Sequence, residues 1–164
     1  ESKTIYLLDH VNLNECGALN LCEQQSSSDL SLLFTQNLDS NAISVKSEND
    51  EQLLLFIPFK SRVKLEAIGL AMPFGESCPK TIKLFAGKKN LDFDDAETEK
   101  ATKTIKIKQI PQQKEDEEKK YWAKSYPLQL TKFRNINFLT IFIKDNFGDD
   151  ISELFKIELW GQDK

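Results

Sequence analysis

The sequence has few of the residues that perform covalent catalysis or close disulfide frameworks. It contains a single histidine, His10, and three cysteines, Cys16, Cys22 and Cys78. Because three is an odd number, at least one thiol stays unpaired within the chain, which excludes a scaffold held together by disulfides alone. We therefore expect a reducing compartment, the cytoplasm first and the nucleus in addition. The sequence contains no Cys-x-x-Cys pair, the redox motif of dithiol oxidoreductases.

The sequence also lacks long apolar runs and an excess of positive charge. Its longest uninterrupted apolar run, residues 53–57, is far shorter than the roughly 20 residues that cross a bilayer, and residues 1–10 show no signal-peptide pattern. We expect no membrane partner. The formal net charge of −4 disfavours nucleic acid, because binding to phosphate backbones depends on a basic surface. Phosphate-binding loops rich in glycine and the Gly-x-Ser-x-Gly nucleophile motif are missing as well.

The length and composition that remain are those of one folded domain. The 164 residues are 40% hydrophobic and 29% charged, which is ordinary for a globular protein and unlike a disordered one. We expect a single monomeric domain over residues 1–164, with an N-terminal arm at residues 1–45 and a β-sandwich at residues 46–162. The chain starts at Glu1 rather than Met, which suggests a fragment whose flanks hold another domain.

Apolar residues recur at alternate positions, which is typical of half-buried strands. The alternating rows are Val63, Leu65 and Ala67; Ile105 and Ile107; and Phe155, Ile157 and Leu159. Residues 53–59 and 138–143 are apolar on both faces, so we expect them to be central strands. Pro58 has no N–H and predicts a bulge or a bend near that position. Without βαβ spacing, the pattern favours an all-β fold in which two antiparallel sheets pack as a jelly-roll sandwich.

Short helical turns are expected in two places, at residues 28–34 and 96–100. Hydroxyl and carboxylate side chains favour helix N-caps, and the candidates are Ser28 or Asp29 for the first and Asp94 or Asp95 for the second. Residues 114–120 contain no apolar side chain and predict an exposed loop.

Metal-dependent or thiol chemistry is possible in principle but poorly supported. His10 and the three cysteines are residue types that bind zinc, yet they lack the close pairs found in structural zinc sites. A Cys-His nucleophile would need partners brought together by the fold. Acidic residues cluster at residues 145–153, but their spacing does not match a calcium loop, and Asn146 and Gly148 are typical of a turn. We expect no cofactor and no metal.

Aromatic residues are the remaining sign of a binding surface. Tyr121, Trp122 and Tyr126 follow the charged loop, and Trp160 falls on the outward row of the last strand. Aromatic side chains are frequent in interface cores. Trp122 therefore either contacts a partner or covers an open end of the hydrophobic core.

Several ordered blocks resemble the PITH domain family, the proteasome-interacting module of thioredoxin-like proteins and of stand-alone PITH proteins. The blocks are Asp50-Glu51-Gln52-Leu53-Leu54, Ile57-Pro58-Phe59, Val63-Lys64-Leu65, Ile82-Lys83-Leu84-Phe85, Asp92-Phe93 and Lys132-Phe133. Further matches are Leu7-Leu8-Asp9 and Leu139-Thr140-Ile141-Phe142-Ile143. Ala18 stands where the family pattern has cysteine, and Arg134 where it has glutamine. The resemblance covers nearly the whole chain.

The resemblance implies a galactose-binding-like jelly roll without catalytic activity that docks on the regulatory particle of the 26S proteasome, with a thioredoxin domain as the expected flanking domain. Most of the matching residues belong to expected strands. Those left for a partner are Asp92, Phe93, Asp94 and Asp95, with Trp122 added from its aromatic character. Two alternatives remain: a jelly roll that binds a glycan or calcium through its end loops, and an enzyme that uses one of the cysteines.

Overall fold

The computed structural model describes residues 3–114 and 118–163, which form a mostly antiparallel β-structure. The strands are β1 (Ile5–Tyr6), β2 (Gly17–Leu19), β3 (Val45–Lys46), β4 (Leu53–Pro73), β5 (Pro79–Ala86), β6 (Lys103–Lys106), β7 (Tyr121–Pro127), β8 (Ile136–Asn146), β9 (Glu153–Leu154) and β10 (Lys156–Asp163). The helices are α1 (Ser27–Leu30), α2 (Leu32–Thr35), α3 (Phe93–Thr98) and α4 (Leu130–Phe133), and Leu8–His10 and Leu13–Glu15 form 3-10 turns. No helix in the described ranges is both long and apolar enough to cross a bilayer.

The 21-residue strand β4 belongs to both layers of the fold. Its first part, residues 53–58, pairs with β8 on one side and β2 on the other. Its second part, residues 63–73, pairs with β10 and β7. The β4–β8 register shifts between Pro58 and Val63, which confirms the irregularity predicted from the proline.

The strand order defines two sheets that share β4. The front sheet has the order β2-β4-β8-β5-β6, and the back sheet has the order β1-β10-β4-β7. All these pairings are antiparallel, and a small second ladder joins β3 to β9. The predicted antiparallel jelly-roll sandwich is confirmed. Because the N-terminal arm supplies β1 to the back sheet and β2 to the front sheet, it is part of both layers.

The main hydrophobic core lies between the two sheets. Leu53, Leu55 and Ile57 of β4 point into it, as do Ile105 and Ile107, which confirms their predicted inward row. Val63 and Leu65 are also buried there, but Ala67 is not. The cause is a register shift: Trp160 pairs with Ala67 while Gly161 pairs with Leu65. The extra residue turns Ile68, Leu70 and Met72 inward instead.

A second cluster lies on the outer face of the front sheet. Leu54, Phe85 and Phe142 are fully buried there against Leu91 and Ala96. The last two belong to α3 and the segment before it, so α3 covers a sheet face that would otherwise meet water. This explains why the central strands are apolar on both faces.

A third cluster lies on the outer face of the back sheet. Phe155 packs there with Ala42 and Ala71, although the alternating pattern placed it in the inward row with Ile157 and Leu159. Phe155 precedes β10, and its backbone N–H donates to the carbonyl oxygen of Ala71 at 2.8 Å, which sets its direction. Trp160 follows the prediction and stacks on Tyr6 with ring centroids 4.9 Å apart.

Helical turns form in both predicted regions, but the second helix begins three residues earlier than predicted, at Phe93, and the caps of both differ. The first predicted helix is two short helices, α1 and α2, and its N-cap is Ser26 rather than Ser28 or Asp29. Asp29 occupies the third helical position and completes a capping box with Ser26. The sequence pattern located the acid correctly but assigned it the wrong cap position.

The predicted charged loop at residues 114–120 lies partly outside the described residues, because residues 115–117 are not described. Lys114 and residues 118–120 are exposed and belong to no helix or strand.

A steric test of the shared strand is available at Gly161. A Cβ atom at this position would lie 1.8 Å from the carbonyl oxygen of Lys64, whereas one at Gly17 would find its nearest neighbour at 3.9 Å. We expect Gly161→Ala to lower the free energy of unfolding by about 3 kcal/mol or more. Gly17→Ala should change it by less than about 1 kcal/mol. Urea denaturation of both variants measures the difference, and equal effects would contradict the register between β4 and β10.

Candidate interaction surfaces

Two of the predicted partner-binding residues form the N-terminal cap of α3. The N-cap is Asp92, rather than Asp94 or Asp95. One carboxylate oxygen of Asp92 accepts a hydrogen bond from the backbone N–H of Asp95 at 2.8 Å, and the Asp95 carboxylate accepts from the Asp92 N–H at 3.2 Å. This reciprocal capping box gives both carboxylates a structural role.

The other end of α3 is held by a lysine from the sheet below it. Lys83 of β5 donates from Nζ to the carbonyl oxygens of Ala96, Glu97 and Glu99 at 2.7, 3.2 and 3.1 Å. A cation at this position donates to the carbonyl oxygens of the last turn, which have no partner within the helix, and it complements the helix dipole. Burial lowers the pKa of Lys83, the charge of Lys144 lowers it further, and Glu97 opposes the shift.

Phe93 and Asp94 point in different directions from the first turn of α3. The Phe93 ring meets Phe142 edge-on with centroids 6.1 Å apart, so it is a half-buried packing residue of the second cluster. Asp94 is exposed, and its carboxylate has no hydrogen bond to any other described residue. Asp94 is therefore the predicted residue on α3 whose functional group remains free for a partner.

Trp122 lies on β7, in the back sheet, and packs against the main core. Its indole Nε1 donates to the carbonyl oxygen of Pro73 at 3.1 Å, and the side chain remains half-exposed. It thus covers an open side of the core, as one of the two sequence interpretations proposed. Since Phe93 belongs to the cluster outside the front sheet, the structure does not bring Trp122 together with the α3 residues.

Trp122 instead lines a hollow that the sequence did not reveal. This hollow, which we call the β6–β7 cleft, has a volume of about 780 Å³ and is lined by Ile107, Gln109, Ile110, Pro111, Gln112 and Trp122. It lies between the segment that follows β6, the edge strand of the front sheet, and β7, the edge strand of the back sheet. The available signal in the sequence was the Ile110-Pro111 pair in an otherwise polar stretch.

A polar and strongly acidic surface lies at the end of the sandwich where β8 ends. An open hollow of about 640 Å³ is lined there by Glu48, Asn49, Asp50, Glu51, Asp145, Asn146, Gly148, Asp149 and Asp150. Asp50 accepts hydrogen bonds from Asn20 and from the backbone of Gln52, and Asn146 accepts from the N–H of Gly148, which confirms the predicted turn. In the described part of the chain, no three histidine, cysteine or acidic side chains are placed to hold a metal ion.

The hydrogen bonds of the two buried thiols, Cys16 and Cys78, do not involve the histidine. His10 Nε2 lies 3.4 Å from a carboxylate oxygen of Asp163. The thiol of Cys16 is directed at the Asn12 carbonyl oxygen at 3.7 Å, and burial raises its pKa to about 11. Burial raises the pKa of Cys78 to about 12, with Trp122 acting in the opposite direction. Both thiols therefore stay protonated near neutral pH and are poor nucleophiles.

Comparison with known sequences gives a consistent result. The family model described as PITH domain matches residues 1–164. The chain is 36% identical to thioredoxin-like protein 1 of Schizosaccharomyces pombe over 88% of its own length and 48% of that protein. It is 36% identical to the PITH domain-containing protein ZK353.9 of Caenorhabditis elegans over 72% of its length and 52% of that protein. The chain thus spans about half the length of these curated relatives.

Comparison with solved structures supports the fold only. A family 32 carbohydrate-binding module of Clostridium perfringens NanJ, solved in complex with galactose, superposes with a TM-score of 0.60 at 8% identity, over 96% of this chain and 99% of that one. A fucolectin from striped bass serum gives a TM-score of 0.57 at 10% identity, over 91% and 46% of the two chains. At such low identity, the shared property is the jelly-roll architecture.

The lysine under α3 gives a stability prediction. We expect Lys83→Met to lower the free energy of unfolding by about 1–2 kcal/mol, because three carbonyl oxygens lose a charged donor. Lys106→Met on the adjacent strand is the matched control, since Lys106 is exposed and should contribute less than about 0.5 kcal/mol. Urea denaturation followed by circular dichroism measures both. A loss equal in the two variants would show that Lys83 does not hold the helix.

The raised thiol pKa values predict slow alkylation. Burial raises the thiol pKa from an ordinary value of 9.0 to about 11 for Cys16 and about 12 for Cys78. The thiolate fraction at pH 8 is therefore roughly a hundredfold lower for Cys16 and a thousandfold lower for Cys78. Iodoacetamide should therefore modify both far more slowly in the folded protein than in 6 M urea, and the rates should rise with pH. Peptide mass spectrometry measures the rate at each cysteine. Similar rates in the folded and unfolded protein would restore the thiol-enzyme alternative.

Proposed function

The chain belongs to the PITH domain family, a family of protein-interaction domains, and on this premise we propose that it is a non-catalytic docking module that attaches its protein to the regulatory particle of the 26S proteasome. The observation that carries the proposal is the family match over the full 164 residues. Relatives in Caenorhabditis elegans and Homo sapiens are named as PITH domain-containing proteins, that is, by their domain rather than by a reaction.

The chemistry of the described residues supports a binding role over catalysis. Two buried thiols have raised pKa values, the histidine faces Asp163 rather than a thiol, and no metal site is formed within the described ranges. All three cysteines are free, which is consistent with a reducing compartment such as the cytoplasm or the nucleus.

Two surfaces are available for the partner. One is the exposed side of α3 around Asp94, where Asp92, Phe93 and Asp95 hold the helix in place. The other is the β6–β7 cleft, which contains Trp122. The residues predicted for partner binding thus divide into a carboxylate on one surface and an aromatic ring on the other. Each can be tested by a variant that leaves the other surface unchanged.

The proposal predicts retention of purified 26S proteasome by the immobilised domain at micromolar concentration. The regulatory particle alone should be retained as well, and the 20S core particle should not. If intact 26S particles ignore the domain at this concentration, the proposal is wrong. Binding to a glycan array together with failure to retain proteasomes would instead favour the sugar-binding alternative.

Charge reversal on α3 tests the first surface in the same assay. If α3 contributes, Asp94→Lys should weaken retention about threefold to tenfold, the usual scale for an interface charge. Asp150→Lys is the matched control, because Asp150 is also an exposed acid but lies at the end of the sandwich that holds the acidic hollow. Equal retention of wild type and Asp94→Lys would exclude α3 as a docking element.

A further inference from the structure

The β6–β7 cleft is held open by the turn that joins the two sheets. Its lining is fixed by three hydrogen bonds to residues 73–80: Ile107 N–H donates to the Lys80 carbonyl at 2.8 Å, Gly75 N–H to the Pro111 carbonyl at 2.8 Å, and the Trp122 indole to the Pro73 carbonyl at 3.1 Å. A hollow whose walls are fixed in this way is formed before a ligand arrives, which lowers the entropic cost of binding.

The cleft is open to solvent, and four of its six lining residues are apolar, the other two being Gln109 and Gln112. Ile110 is 36% exposed, one of the few large hydrophobic residues of the described chain with so much accessible surface. The half-exposed ring of Trp122 also lines the cleft, and Ile107 belongs to the main core. An open hollow of this size has room for an aliphatic or aromatic side chain of an extended segment.

The strand that leads into the cleft is lined with lysines. Lys106 lies on β6 and Lys108 two residues after it, and both are exposed on the outward row, whereas Lys103 is half-buried on the inward row of Ile105. Neither Lys106 nor Lys108 forms an ion pair with another described residue, whereas Lys88 and Lys144 pair with Glu99 and Glu97. In a chain with a net charge of −4, this run is a local positive surface.

β6 is also the end of the front sheet, so one side of its backbone has no neighbouring strand among the described residues. Such an edge can accept an additional strand, with backbone hydrogen bonds supplying affinity and alternate side chains supplying specificity. Exposed lysines on edge strands often serve only to prevent this pairing. Here, however, the lysines adjoin a preformed apolar pocket, which protection against aggregation does not require.

We propose that β6 and the β6–β7 cleft bind an extended, acidic segment of a partner protein. The segment adds to the edge of β6, places an apolar side chain between Ile110 and Trp122, and directs carboxylates toward Lys106 and Lys108. A second copy of this chain fits less well, because pairing two β6 edges would bring lysines together. The inference extends the proposed function, because it names the binding surface and the chemistry of the partner segment. Only the assignment of that segment to the 26S proteasome rests on the proposed function.

The test uses a nine-residue peptide of alternating aspartate and leucine as the probe, titrated into ¹⁵N-labelled protein. We expect chemical-shift changes at residues 103–112 and at the Trp122 indole, and none of comparable size at α3 or in the acidic hollow. The same peptide with lysine in place of aspartate should bind at least tenfold more weakly. No shifts up to millimolar peptide, equal binding of the two peptides, or shifts confined to another surface would overturn the inference.

Two variants and their matched controls separate the pocket from the charges. Ile110→Glu should weaken binding of the aspartate peptide at least tenfold, while Leu130→Glu should change it less than twofold, because Leu130 is 48% exposed at a different site. Lys106→Glu with Lys108→Glu should act like Ile110→Glu. Lys60→Glu with Lys132→Glu, which alters net charge equally at exposed positions, should not. Loss of binding in the controls to the same extent would show non-specific electrostatics and overturn the inference.

The proteasome assay then distinguishes the two proposals. If Ile110→Glu loses both the peptide and the 26S proteasome, the cleft is the docking surface. If wild type binds the peptide in the cleft but never the proteasome, the proposed function fails while peptide recognition stands. If wild type and Ile110→Glu retain the proteasome equally, the cleft is not the surface that docks, and its assignment as the proteasome-binding surface is wrong.

Discussion

The sharing of β4 between the two sheets is the constraint on which the rest of the structure depends. Residues before Pro58 belong to the front sheet and residues after Val63 to the back sheet, so one covalent segment fixes the spacing and direction of both layers. The close approach of Gly161 to the Lys64 backbone occurs just beyond that transition. The bulge between β4 and β10 then decides which residues of the second half enter the core. The position of the cleft also depends on β4, because β7 pairs with β4 directly and β6 is connected to it through β5 and β8.

The two candidate surfaces differ in how much of their chemistry is already used by folding. On α3, the carboxylates of Asp92 and Asp95 are engaged in capping and Phe93 in packing, which leaves Asp94 free. In the β6–β7 cleft, the hydrogen bonds that form the walls come mostly from the backbone, so apolar side chains remain accessible. Ile107 and Trp122 also pack in or against the main core, so Ile110 is the cleft side chain that can adapt to a partner at the lowest cost in stability.

The sequence predicted the architecture well because the relevant signals are local. Alternation identified the inward positions of Ile105 and Ile107, and runs apolar on both faces identified central strands that are covered outside by α3. The prediction failed where a non-local strand pairing overrides the alternating pattern. Ala67 is displaced from the main core by the bulge between β4 and β10, and Phe155 is turned away from it by its backbone hydrogen bond to Ala71. The helix caps were misplaced because several neighbouring acids and hydroxyls are equally good caps in isolation. The cleft could not be predicted, since it forms only where the segment after β6 meets Trp122 of β7 in the folded chain.

The covering of the front sheet by α3 also bears on the solubility of the protein. The helix is six residues long, too short to be stable by itself. It is held by side-chain caps at one end and, at the other, by the hydrogen bonds of Lys83 and by the ion pairs of Lys144 with Glu97 and Lys88 with Glu99. It can in principle detach without breaking any strand pairing, whereas no strand of the front sheet can leave so easily. Detachment would uncover Leu54, Phe85 and Phe142 together, a contiguous apolar patch on a sheet that is otherwise intact. The contacts that hold α3 in place therefore keep an apolar patch of the folded molecule away from water, and Lys83 is one of the side chains on which this covering depends.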